Sequence, residues 1–80
     1  MPTVFHADGF RFFFYSNEGD PREPAHIHVA GGGGEAKFWL RPEVSVAQSA
    51  GLDARRLRRL AQIVAERRAE IEGAWDDYFG

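Results

Sequence analysis

Residues 24–40 read PAHIHVAGGGGEAKFWL: two runs of alternating side chains separated by four consecutive glycines. Alternation with a period of two marks a β-strand, whose successive side chains point to opposite faces of a sheet. The stretch therefore predicts a strand at 26–30, a turn in the glycines, and a second strand at 35–40 that Pro42 ends. Four glycines in a row suit a flexible hairpin tip, or a place where backbone must come close to something.

Upstream, residues 3–6 and 10–16 are rich in β-branched and aromatic side chains and flank Ala7-Asp8-Gly9, whose Asp-Gly pair is a strong hairpin signal. Residues 17–25, NEGDPREPA, carry Gly19, Pro21 and Pro24 and read as a loop. Downstream, Val44 and Val46 alternate within 43–50 and admit a short fifth strand. The period then changes. From Asp53, a good N-cap, apolar side chains recur at Leu57, Leu60, Ala61, Val64, Ile71, Trp75 and Tyr78, one stripe of a helix at 3.6 residues per turn. Gly73 inside that helix is expected to bend or fray its last turns.

The expected fold class is α+β: an antiparallel sheet of four strands, or five, with one long C-terminal helix packed on one face. Residues 1–80 form a single domain, strand-rich over 1–50 and helical over 51–80. With 44% hydrophobic residues and 28% charged ones, the chain has the composition of a folded domain. No cysteine is present, which excludes a disulfide framework and any Cys-based metal centre. A net charge of −2 argues against a surface given over wholly to nucleic acid, and no apolar run approaches a membrane span. The opening MPTVF lacks the basic and apolar regions of a signal peptide, so a cytoplasmic protein with no membrane partner is expected.

One helix covers one face of such a sheet, and the apolar set of each strand belongs beneath it. That set is Phe12, Phe14, Ile27, Val29, Phe38 and Leu40. The opposite set is Arg11, Phe13, Tyr15, His26, His28, Lys37 and Trp39, which alternation gathers on the open face. Aromatic rings, imidazoles and cations together mark an interface, a ligand groove or a stacking surface.

His26 and His28 could share a metal ion as imidazole ligands, with His6, Glu35 or Asp20 as a third, but two ligands do not make a site. They could also act as general acid and base, with Arg11 and Lys37 stabilising the charge of a reacting phosphate. No nucleophile motif, phosphate loop or paired-carboxylate pattern supports another enzyme class. The helix adds a charge asymmetry. Residues 53–68 hold six Arg against Asp53 and Glu66, whereas 69–80 hold four acidic residues and no basic one. The helix dipole favours the reverse order. Arg55, Arg58 and Arg59 on the solvent side suit an acidic partner, RNA, or an antiparallel copy of the same helix.

With Pro24-Ala25-His26-Ile27-His28-Val29 followed by Gly34-Glu35-Ala36-Lys37-Phe38, and a helix ending in Ala74-Trp75, the chain resembles a widespread family of small bacterial proteins, domain of unknown function four-one-six-zero. The likeness runs from Met1-Pro2-Thr3 to Trp75, with Ala25 where the family pattern has a second proline. Members look like one half of two-gene pairs with another small protein and are often grouped with toxin–antitoxin components. The resemblance implies a partner and an RNA-related activity. It carries over His26 and His28 as the family's signature and supplies no catalytic residue.

The expected function is therefore that of one component of a bacterial toxin–antitoxin-like pair, which binds a small cognate protein or a further copy of itself, together with RNA, and needs no cofactor. Its binding residues are Phe13, Tyr15, Trp39, Arg55, Arg58 and Arg59. The alternative is a ribonuclease using His26 and His28 with Arg11 and Lys37. A second alternative is a metal-binding module built on His26, His28 and His6.

Overall fold

A computed structural model describes residues 2–17 and 23–80. Five strands come first: β1 (Thr3–Ala7), β2 (Phe10–Phe13), β3 (His26–Gly31), β4 (Gly34–Trp39) and β5 (Ser45–Ala50). Two helices follow, α1 (Ala54–Glu66) and α2 (Arg68–Phe79). The strands pair in chain order, each antiparallel to the next, as one meander. The fold is thus α+β as expected, but the sheet has five strands, and the single long helix is replaced by two.

The hairpin turns follow from residue type. Asp8 and Gly9 both take positive φ, 53° and 80°, which is the two-residue turn whose twist matches antiparallel strands. Gly32 and Gly33 do the same between β3 and β4, at 59° and 79°. Their neighbours are glycine for a different reason. A Cβ on Gly31 would lie 2.7 Å from the Gly9 carbonyl oxygen, and one on Gly34 would lie 2.7 Å from that of Gly51. The glycine run is a tight turn wedged between two others, and the floppy-tip reading is replaced by the close-approach one.

Asp53 caps α1 as its sequence position implies, its Oδ1 accepting from the Arg56 N–H at 2.8 Å. The helix breaks at Arg67 (φ −108°, ψ 20°), not at Gly73. Arg67 lies 3.5 Å over the Phe5 ring and pairs through Nε with Glu70 at 2.9 Å, so its side chain is anchored to the sheet and to the next turn. The break also changes which side chains face inward. Tyr78, expected in the apolar stripe, is exposed, while Phe79 packs on Trp75 and Phe14. Among the described residues no helix is long and apolar enough to cross a membrane.

The core lies between the sheet and the helices. Phe12, Phe14, Ile27, Val29, Phe38 and Leu40 are all buried in it, together with Leu60, Ile63, Val64, Ile71 and Trp75 from the helices. The face chosen from alternation is the face the helices cover.

Candidate functional site

The open side of the sheet is organised in cross-strand rows. Register aligns Phe13 with His28, His28 with Lys37, and Lys37 with Gln48, so that β2, β3, β4 and β5 each place one of these side chains in a row. A neighbouring row runs from His6 through Arg11, Ala30 and Glu35 to Ala50. His26 stands opposite Trp39. Six of the seven residues assigned to this face by alternation share it by register, and Tyr15, just beyond β2, joins them through its ring's contacts with Phe13 and His28.

They also touch. The His28 ring stacks on Phe13 with centroids 5.6 Å apart, and Tyr15 meets both edge-on, at 5.2 Å from Phe13 and 4.6 Å from His28. The Arg11 guanidinium lies 4.2 Å above the Phe13 ring. Lys37 Nζ lies 4.4 Å above the Trp39 ring and donates to Glu23 Oε1 at 3.0 Å. Such cation–π contacts hold the long side chains flat across the rings. Phe13 is thereby roofed by its own neighbours and only 3% exposed, although no helix covers it.

His26 departs from the expectation of an imidazole open to water. It is fully buried, its Nδ1 lies 2.9 Å from the Pro24 carbonyl oxygen, and its ring sits 5.7 Å from Trp39 and 4.9 Å from Trp75. A carbonyl only accepts, so Nδ1 carries the proton. The physical cause is α2, whose Trp75 reaches this end of the sheet and closes over the imidazole. His28, 5.1 Å from His26 between centroids, remains partly exposed. The two histidines thus differ: one is packed into the protein and the other faces a groove.

That groove has a volume of about 220 Å³. Phe13 and Tyr15 form one wall, His28, Lys37 and Glu35 lie along it, and Gln48 belongs to the β5 side. It is smaller than the roughly 300–1,000 Å³ of sites that hold drug-sized molecules, and it suits one ring or one anchoring side chain. Trp75, Glu23 and Gln48 were not among the sequence-derived site residues. Gln48 follows from the register once the fifth strand is accepted, whereas Trp75 read as an ordinary member of the helix stripe.

Among the described residues no three His, Cys, Asp or Glu side chains gather closely enough to hold a metal ion. His6 stands on the edge strand β1, separated from β3 by β2. Asp20, named with it as a third ligand, lies outside the described residues. The arginines of the helix belong to the other side of the molecule. Arg55 and Arg58 are exposed there, but Arg59 Nε donates to Asp8 Oδ2 at 2.8 Å and is tied to the β1–β2 turn. This hydrogen bond, reinforced by the charge of Asp8, raises the Arg59 pKa above its ordinary value.

A family model described as "Domain of unknown function (DUF4160)" matches residues 9–76. The chain belongs to that family. The DUF4160 match takes in all of β2 through β5, with His26 and His28. No curated protein matches the chain, and no solved structure does.

Proposed function

We propose that this protein is one component of a bacterial toxin–antitoxin-like pair and that it works by binding a small cognate protein through the open face of its sheet. The observation that carries this reading is the cluster of Phe13, Tyr15, His28 and Trp39 under Arg11 and Lys37, on a face that no helix or strand among the described residues covers. Aromatic side chains set among a few cations are what protein interfaces use as anchors, and a one-ring groove beside them is the size of a hot-spot pocket. Tyr15 is 39% exposed, so a partner can reach it.

The ribonuclease alternative asks two imidazoles to reach one phosphodiester. His26 is buried against Trp39 and Trp75, and this supports binding over that chemistry. The test uses the protein encoded beside this one. Calorimetric titration should give a stoichiometric complex, with Tyr15→Ala and Trp39→Ala each weakening it tenfold or more. A parent that leaves its neighbour unbound while degrading RNA would refute the proposal, as would two variants that bind like the parent.

A further inference from the structure

The two outer ends of the helix layer, the first turn of α1 behind its Asp53 cap and the last turn of α2, carry charges against the helix dipole. The first turn of α1 has no acidic residue and holds Arg55 and Arg56, although the positive end of a helix favours carboxylates. The last turn of α2 has no basic residue and holds Asp76 and Asp77, at the negative end. Contacts within the chain relieve part of this. Arg59 pairs with Asp8 at 2.8 Å, Arg41 with Glu72 at 2.7 Å and Asp76 at 3.9 Å, and Arg68 with Glu72 at 3.7 Å. Among the described residues Arg55, Arg56, Arg58 and Asp77 have no ion-pair partner.

What one copy lacks, another supplies. Arg55, Arg58, Asp76 and Asp77 are all exposed, and between the two charged ends the outward side chains include the small Ala65, Ala69 and Gly73 beside Gln62, Glu66 and Glu70. We propose that the helix layer pairs with a second copy of this chain, antiparallel about a two-fold axis near Arg67, so that Arg55 and Arg58 of each meet Asp76 and Asp77 of the other. A two-fold interface repeats every contact, so the complementary ends are matched twice by one arrangement. Each inverted dipole end then faces its opposite. The interface uses the helix layer alone and leaves the open sheet face free, so it stands or falls independently of the cognate-protein reading.

Sedimentation equilibrium of the purified protein is the test. Exposed ion pairs are screened by salt, so the dimer should loosen at least tenfold in dissociation constant between about 50 and 500 mM salt. Arg55→Glu/Arg58→Glu and Asp76→Lys/Asp77→Lys should each be monomeric at low salt with the parent's circular dichroism. Mixed together, the two variants should form a heterodimer, because one is then acidic at both ends and the other basic at both. Restored association by two folded variants that fail alone is a result no general loss of stability produces. A parent that is monomeric at low salt overturns the proposal, and so does a charge-reversed variant that dimerises as the parent does. A monomeric parent that becomes larger only when single-stranded RNA is added would assign the arginines to a polyanion.

Discussion

The two faces of the sheet are built from the same strands, one residue apart, and are finished in different ways. On the helix side Phe12, Ile27, Phe38 and Leu40 are wholly buried by a separate layer. On the open side Phe13 is 3% exposed while Tyr15 is 39% exposed, and among the described residues the neighbours that cover Phe13 belong to the same face. Alternation settles which face a residue belongs to. Burial is settled by what lies above it, and on the open side the described residues that lie over Phe13 are Arg11, Tyr15 and His28. A face that shields itself can give up its cover to a partner without unfolding the chain beneath it.

The largest expected effect tests the face assignment itself. Phe38→Ala should cost roughly 3 to 5 kcal/mol in chemical denaturation, because it removes a fully buried ring between sheet and helices. Should Trp39→Ala prove the more costly of the two, the faces have been exchanged. Next comes the histidine pair. His26→Ala should lose roughly 2 to 4 kcal/mol, from a cavity beneath Trp75 and a lost hydrogen bond to Pro24, and His28→Ala well under half of that. Equal costs would mean that the two imidazoles are not divided between core and groove.

Gly34→Ala should cost about 1 to 3 kcal/mol, since the added methyl would meet the Gly51 carbonyl and Leu52 at 2.7 Å. Parent-like stability in that variant would show the hairpin tip to be looser than its packing implies. The smallest effect belongs to the open face. Trp39→Ala should cost about 1 kcal/mol through the lost contacts with Lys37 and the His26 ring, with a thermal midpoint close to the parent's and its main consequence in binding.

Much of this was readable from residue order alone, and most of the exceptions share a cause. The turns at Asp8-Gly9 and Gly32-Gly33, the cap at Asp53 and the division into two faces each rest on a local rule, and each holds. Residue order predicts one long helix whose last turns bend or fray at Gly73, because glycine is the weak helix former there. Arg67 breaks it instead, held by Phe5, a residue more than sixty positions earlier. His26 was placed on the correct face but not at the correct depth, since its burial depends on Trp75 from α2. For the candidate site, the open-face cluster was legible, while the β5 side of the groove became so only once residues 45–50 were seen to pair with β4. For the helix break and for His26 the missing information was a contact between segments distant in the chain, and for the groove it was the pairing of a weakly patterned strand with its neighbour.

The meander itself has a kinetic side. Because every strand pairs only with the strand before and after it, sheet assembly closes short loops, apart from the segment between β2 and β3. Average sequence separation between contacting residues is the quantity that slows folding, and sheets dominated by distant pairings are the slow ones. This sheet can zip one hairpin at a time, and the contacts that span most of the chain, Arg67 on Phe5 and Arg59 on Asp8, belong to the closing of the helices over it. Refolding is therefore expected to be quick for a five-stranded sheet, with docking of the helix layer as the step that sets its pace.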